Sequence, residues 1–130
     1  MPNRGDFFIT TLKRAHLEWG THRHTLSRGL IYGEGYLQIP ANIARQLQIF
    51  NSNQLGAITD YTCNSADEFL QDVTLKASGC SSAGNIYAKQ FQGCGNLKVL
   101  GDWFFHINAI IGDRVKITWI DNISIEIERI

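Results

Sequence analysis

The sequence predicts a mainly β protein of the barrel or sandwich type, with one or two short helices. Residues typical of turns recur at short, regular intervals along the 130 residues. Between many of these turns apolar and polar residues alternate, which is the period of a half-buried strand. The strand candidates also follow one another without the intervening helices of βαβ units. These observations together indicate about seven short strands.

The first half of the chain contains a short strand that turns directly into a helix. Residues 7–12 are rich in aromatic and β-branched side chains and are predicted to form the first strand. The next strand is predicted at residues 36–39, where it ends at Pro40, which cannot donate to a β-ladder and has a φ that suits a helix start. Ile43 and Leu47 then share one helical face. Turn-forming residues at 51–53 predict that the helix ends near Gln48.

The central part of the chain is predicted to hold three further strands. Residues 54–62 form a strand candidate that is weakened by Gly56, and a turn is predicted at residues 64–67. Residues 69–77 show the alternation of another strand. Residues 97–100 are predicted to be a strand as well, followed by a turn region that ends at residues 112–113.

A hairpin is predicted to close the fold. Val115, Ile117 and Trp119 alternate with polar residues, and Asp121 with Asn122 provides the turn. In the final strand the apolar and polar faces are again separated, with Ile123, Ile125 and Ile127 predicted on the buried side. Trp103 and Trp119 are expected in the core, whereas the position of Trp19 is ambiguous.

Composition indicates one domain spanning residues 1–130. Hydrophobic residues make up 44% of the chain and charged residues 18%, which suits a packed core rather than a disordered chain. Three cysteines, none of them in a CxxC pair, and no recognisable signal peptide predict a reducing, cytoplasmic location. No apolar run is long enough to span a membrane, so no membrane partner is expected.

Two glycine-rich segments carry the basic charge of this formally neutral chain. The first arm, residues 20–35, has four glycines, and residues 13–28 hold four basic side chains against one acid. The second arm, residues 78–96, is long and polar, with a hairpin that includes residues 86–91 as an alternative to a simple loop. Residues 76–98 contain three lysines and no acid. Long loops in compact domains are usually functional. If the two arms meet in space, they form a basic face on a neutral protein.

Two segments carry a family resemblance. Residues 36–47 resemble the strand, Ile-Pro and helix unit of the DNA-binding pseudobarrel superfamily. Residues 100–115 are similar to the second signature of its B3-type branch, a Gly-x-Trp segment followed by Asn, an apolar pair and Gly-Asp-x-Val. The order matches plant transcription-factor domains and, more closely, the DNA-recognition domains of bacterial restriction endonucleases.

The resemblance implies a seven-stranded open pseudobarrel that grips double-stranded DNA with two arms in the major groove. The first arm precedes the Ile-Pro strand, and the second precedes a Gly-x-Trp segment expected to be a strand. Arginine reads guanine, Asn and Gln read adenine, Glu accepts from cytosine N4, and Lys and hydroxyl groups contact phosphate. The predicted DNA contacts are Thr21, His22, Arg23, His24, Thr25, Ser27, Arg28, Tyr32, Glu34, Lys76, Ser78, Ser81, Ser82, Asn85, Tyr87, Lys89, Gln90, Gln92, Asn96 and Lys98.

Neither catalysis nor a cofactor is predicted for this chain. His16, His22 and His24 are close in sequence, but no cysteine lies near them and their spacing is unspecialised for zinc. The chain contains no P-loop or nucleotide-binding fingerprint and no cluster of carboxylates typical of a nuclease. Any cleavage is therefore expected from a nuclease domain or subunit outside this chain.

Two other functional readings stay open at this point. One is a small pseudobarrel transcriptional regulator that acts alone or as a dimer. The other is a β-barrel that binds a non-nucleic-acid ligand, such as a polysaccharide, through its aromatic side chains. Salt dependence separates the DNA readings from the ligand reading, because phosphate contacts weaken steeply as salt rises.

Overall fold

The computed structural model describes residues 2–13, 35–51, 56, 58–78, 86–96 and 98–130. Two short helices are described, Ala41–Leu47 (α1) and Val99–His106 (α2). The strands in these parts of the chain are Phe7–Thr11 (β1), Tyr36–Gln38 (β2), Asp60–Ser65 (β3), Val73–Ser78 (β4), Gln90–Gly93 (β5), Arg114–Trp119 (β6) and Ser124–Arg129 (β7).

All seven strands belong to one sheet with the order β1-β6-β7-β3-β4-β5-β2. Neighbouring strands are antiparallel except β3 and β7, which run parallel. The sheet curls into a nearly closed barrel, and its two edge strands, β1 and β2, face each other across an unsealed seam. The predicted mainly β fold, a seven-stranded open pseudobarrel with short helices, is confirmed.

Aromatic side chains fill the barrel and tie its walls together. Phe8 of β1 stacks on Phe91 of β5 with ring centroids 6.5 Å apart, which joins the two sides of the seam without a hydrogen-bonded ladder. Tyr61 meets the rings of Phe91 and Trp119 edge-on, at 5.7 Å and 5.9 Å. Such pairs contribute about 0.5–1.5 kcal/mol each beyond their buried area. The prediction that Trp103 and Trp119 are core residues is confirmed, since both are 1% exposed.

The strand, Pro and helix unit forms as predicted. β2 ends at Gln38, Ile39 is buried, and α1 begins directly after Pro40, whose φ of −57° is compatible with the helix that follows. The helix ends at Leu47, and Gln48 adopts a left-handed conformation with its N–H donating to Ala44 O. Ala44 and Ile49 are fully buried, so this unit contributes directly to the core.

The prediction of a strand at residues 97–100 and of a turn or strand around Gly-x-Trp was wrong. Residues 99–106 form helix α2, and Leu100, Trp103 and Phe104 are buried at the i, i+3, i+4 spacing of one helical face. Helix α2 packs against the start of β2, where a Cβ on Gly35 would lie 3.0 Å from Gly101 N and 2.8 Å from the Phe104 ring. A side chain at residue 35 would collide with α2, which explains the glycine just before β2.

Three strand boundaries also differ from the prediction. β3 covers Asp60–Ser65 instead of residues 54–62, and β4 begins at Val73 instead of residue 69. The turn between them is displaced toward the C-terminus, where the side chain of Phe69 stacks on His106 with ring centroids 4.2 Å apart. Ile123 precedes β7 and is 48% exposed, so it does not extend the buried face of that strand.

Among the described residues, no helix is long and apolar enough to cross a membrane.

Candidate nucleic-acid interface

The two predicted arms are attached at opposite ends of the barrel. Strand β1 ends and β2 begins at one end, which is where the first arm connects them. Strand β4 ends and β5 begins at the other end, where the second arm connects them. These directions follow from the antiparallel and parallel pairings around the sheet. The three neighbouring strands β2, β5 and β4 therefore lie between the two points of attachment.

A polar surface covers the outside of these three strands. Leu37, Leu75, Ala77 and Phe91 are fully buried on the inner side, so the alternating residues point outward. We call this surface the outer β2–β5–β4 face, and its side chains are Tyr36, Gln38, Lys76, Ser78, Gln90 and Gln92. The face carries amide, hydroxyl and ammonium groups, which are donors and acceptors suited to a polar partner.

Gln92 occupies the middle of one row across this face. It is in register with Tyr36 on β2 and with Lys76 on β4. The side chains of Gln92 and Lys76 are partly exposed. Burial raises the pKa of the Tyr36 hydroxyl above its ordinary value. The row therefore combines a phenol, an amide and an ammonium group.

Backbone hydrogen bonds hold residues 86–88, the part of the second arm that leads into β5. Asn51 N donates to Ile86 O at 2.8 Å, and Ala88 N donates to Ile49 O at 3.0 Å. Phe50 and Tyr87 stack between these two segments with ring centroids 5.8 Å apart. The chain that follows α1 is thus paired with the segment that leads into β5.

Lys89, the next residue along the chain, is also held by backbone hydrogen bonds. Its N–H donates to Ser78 O at 2.8 Å, and its carbonyl accepts from Ile39 N at 2.8 Å. The side chain is exposed. A cation on an ordered backbone at the base of an arm is well placed to neutralise a phosphate.

The predicted contacts of the second arm fall into different environments. Ser78 and Gln90 are only 8% and 7% exposed, which argues against direct contact with a partner. Lys76, Tyr87, Lys89 and Gln92 are accessible at least in part. Residues 78–96 are not one loop, because Gln90–Gly93 form β5.

Asn96 and Lys98 lie apart from the other predicted contacts. Both follow β5 at the end of the barrel opposite the base of the second arm. There Asn96 Oδ1 accepts a hydrogen bond from Lys98 N at 3.1 Å, in the turn that leads into α2. These two residues are therefore closer to the point where the first arm enters β2 than to Lys89.

The remaining predicted contacts lie outside the described residues and stay predictions. They are Thr21, His22, Arg23, His24, Thr25, Ser27, Arg28, Tyr32 and Glu34 in the first arm, and Ser81, Ser82 and Asn85 in the second.

Gln38 is a surface residue that was not predicted. It is exposed on β2, in register with Gln90 of β5. The alternation of residues 36–39 contained the signal, because it places Tyr36 and Gln38 on the side opposite Leu37.

Within the described parts of the chain, no group of three or more His, Cys, Asp or Glu side chains is arranged to hold a metal ion. His16, His22 and His24 fall outside those parts.

Comparison of the sequence with protein-family models gave no match, and no curated protein matched it either. Function is therefore inferred from the fold and from the chemistry of the described surface.

Proposed function

We propose that the protein binds double-stranded DNA in a sequence-specific manner, through two arms in the major groove and the outer β2–β5–β4 face between them. The observation that carries this proposal is the attachment of two basic, glycine-rich segments at opposite ends of one polar, three-stranded face. This arrangement agrees with the B3-type resemblance of residues 36–47 and 100–115.

The distribution of charge supports a nucleic-acid partner. Lys76 and Lys89 lie on or beside the outer β2–β5–β4 face, and residues 13–28 add four basic side chains against one acid. The exposed Glu126 and Glu128 instead occupy the outer side of β7, on another part of the barrel wall. The exposed Asp60 of β3 is in register with Lys76, so one carboxylate borders this face, while Glu126 and Glu128 lie away from it.

We further propose that the chain is the recognition domain of a restriction endonuclease, with cleavage supplied by another domain or subunit. A pseudobarrel transcriptional regulator is the second candidate, favoured equally by the fold. Cleavage of DNA by the full-length gene product separates the two.

A ligand-binding barrel is less well supported. The barrel interior is occupied by Phe8, Tyr61, Phe91 and Trp119, whose rings contact one another. A ligand inside the barrel would have to displace this core. A ligand could still bind to the outer surface of the barrel, and the salt dependence of binding tests that alternative.

The decisive experiment is selection of binding sites from a pool of random duplex DNA, with and without magnesium. We expect enrichment of a short motif, and affinity that falls as salt rises because several phosphates are neutralised. No enrichment, together with no salt-sensitive binding to duplex DNA, would contradict the proposal.

Substitutions in the first arm then test base reading. Arg23→Ala and Arg28→Ala are each expected to relax preference at one base pair, by about 1–3 kcal/mol of discrimination. If both variants lose the same affinity for the selected and for random duplexes, the two arginines contact phosphate and do not read bases.

A further inference from the structure

On the outer β2–β5–β4 face, a hydrogen bond between two glutamine side chains determines which atoms of Gln92 remain for a partner. Gln90 Nε2 donates to Gln92 Oε1 at 2.8 Å. The two residues are two positions apart on β5, so both project outward. Gln90 is 7% exposed and Gln92 is more accessible, which makes Gln90 the support and Gln92 the group that a partner meets.

This hydrogen bond leaves Gln92 with donors toward a partner. A glutamine amide has one acceptor oxygen and an NH₂ group with two donors. Because Oε1 is directed at Gln90, the Nε2 group is the part of the amide that remains for recognition. An unrestrained glutamine could instead offer both its oxygen and its nitrogen.

Lys76 adds a second donor beside Gln92. The two residues are directly opposed on β4 and β5, a relationship that places Cβ atoms about 4.5–5.5 Å apart. An ammonium group has three donors and no acceptor. No carboxylate in the described parts of the chain forms an ion pair with Lys76. Lys76 is also in register with Asp60 of β3, so the Asp60 carboxylate lies on the far side of Lys76 from Gln92. The donors of Gln92 and Lys76 are therefore adjacent across β5 and β4.

We propose that Gln92, positioned by Gln90 and assisted by Lys76, selects guanine over adenine at one position of the DNA site. Guanine presents two acceptors, O6 and N7, in the major groove, whereas adenine presents the N7 acceptor and the N6 donor. Bidentate reading of adenine by glutamine requires the amide oxygen, and the hydrogen bond from Gln90 directs that oxygen along β5 instead of toward a partner. This inference rests on the proposed function, and it identifies one of the bases that the protein would select.

The test uses the intact chain and a panel of duplexes derived from the selected site, with each base pair replaced in turn. The dissociation constants give a guanine-to-adenine preference at every position. For the unsubstituted protein we expect one position with about a tenfold preference for guanine that depends on Gln92. Gln92→Ala should reduce the preference at that position to near unity.

Two substitutions of Gln90 test its positioning role. Gln90→Met has a similar size but no donor, so Gln92 is free to turn and adenine should bind nearly as well as guanine. Gln90→Glu accepts a hydrogen bond from Gln92 Nε2, which turns Oε1 toward the partner. The preference should then move toward adenine or cytosine, whose exposed amino groups are donors. A merely structural role for Gln90 would lower the affinity for all duplexes without changing which base is preferred.

Lys116→Ala is the control, since Lys116 lies on β6, outside the outer β2–β5–β4 face. It should leave the preference at the Gln92-dependent position unchanged. Thermal unfolding of each variant identifies any that fail to fold, and Gln92→Ala and Gln90→Met remain informative if Gln90→Glu is one of them.

The outcomes that would overturn each step are distinguishable. If the unsubstituted protein selects a site but Gln92→Ala keeps every base preference, this inference is overturned while DNA recognition stands. If Gln92→Ala acts as expected but Gln90→Met does not, the positioning role of Gln90 is overturned. Absence of salt-sensitive binding to any duplex overturns the proposed function itself.

Discussion

Trp103 Nε1 donates a 3.0 Å hydrogen bond to Asp67 Oδ2, which ties α2 to the turn between β3 and β4. The other carboxylate oxygen accepts from Phe69 N at 3.0 Å and from the Ser65 hydroxyl. One carboxylate thus joins the end of a strand, a turn and a helix. This carboxylate therefore helps to hold α2, whose Leu100 and Phe104 side chains are also buried in the core.

Asp67 is expected to make stability depend on pH in the acid range. Burial acts to raise the pKa of Asp67, but hydrogen bonds from Ser65, Phe69 and Trp103 and the charge of His106 outweigh it, so the pKa is lowered. The stabilisation is therefore present above the unfolded-state pKa of about 3.9 and is lost as pH falls through the folded-state value. Urea unfolding between about pH 6 and pH 2 measures it.

Asp67→Asn should flatten this pH dependence and lower the free energy of unfolding at neutral pH by about 1 kcal/mol, because its NH₂ group must face a donor. Ser65→Ala removes one hydrogen bond and should give an intermediate slope. An unchanged slope in Asp67→Asn would contradict the assignment.

The two core tryptophans are expected to respond differently to phenylalanine. Trp103 donates to Asp67, whereas Trp119 Nε1 is buried without a hydrogen-bond partner among the described residues. Trp103→Phe should cost roughly 2–3 kcal/mol of unfolding free energy, from lost volume and an unpaired carboxylate oxygen. Trp119→Phe removes an unsatisfied donor and should cost about 1 kcal/mol less. Equal losses in urea unfolding would contradict this comparison.

Gly93→Ala should be among the most damaging small substitutions. A Cβ at Gly93 would lie 1.9 Å from Asn96 O and 2.7 Å from Val99 Cγ1, so the turn between β5 and α2 would have to move. We expect a loss of roughly 2–4 kcal/mol in the free energy of unfolding, measured with urea.

Gly5→Ala is the control for Gly93→Ala. Gly5 has a φ of +93°, but no atom lies within 4 Å of the position that a Cβ would take there, so only backbone strain of about 1–2 kcal/mol is expected. If Gly5→Ala is as damaging as Gly93→Ala, steric exclusion is not the cause.

Cys63 should react with a thiol reagent only when the barrel opens. It is fully buried, and burial raises the pKa of its thiol to about 12, so little thiolate is present at neutral pH. Cys94 is exposed. Iodoacetamide treatment followed by peptide mass mapping should show early modification of Cys94 and late modification of Cys63. In denaturant the two should react at similar rates, and equal rates in the folded protein would contradict the prediction.

Comparing DNA binding by Lys89→Ala and Lys116→Ala tests whether Lys89 contacts a phosphate. Lys89→Ala should weaken binding to all duplexes alike and reduce the salt dependence by about one phosphate contact. Lys116 lies on the β6 side of the barrel, with Nζ 4.7 Å from the centroid of the Phe7 ring, and Lys116→Ala should leave binding unchanged. Fluorescence anisotropy at several salt concentrations measures both. Similar losses in the two variants would indicate a general charge effect.

Sequence periodicity correctly predicted the elements whose apolar pattern lies within one continuous segment of the chain. The alternation around Val115 and Ile125 and the Ile39-Pro40 junction predicted β6, β7 and α1. Helix α2 was missed because Trp103, Phe104 and Phe105 are typical of strands, and its helical face depends on packing against Gly35. For short apolar runs of this kind, tertiary contacts decide between the two structures.

The candidate site was predictable in composition but not in geometry. Glycine content and charge predicted the two arms, and residue types predicted donors for DNA; both stay predictions. The burial of Gln90 and its bond to Gln92 depend on the register of β5 with β2 and β4, which joins residues far apart in sequence. A pattern within one segment contains no information about that register.

The pairing of β1 with β6 has a consequence for synthesis of the chain. Phe7 pairs with Thr118, and β3 is completed by β7, so the barrel wall cannot close until the last strands exist. During translation, at about 5–20 residues per second, Phe8 and its edge strand must wait several seconds for these partners. Folding is therefore governed by contacts of long sequence separation, and the nascent chain carries an apolar edge that a chaperone can recognise.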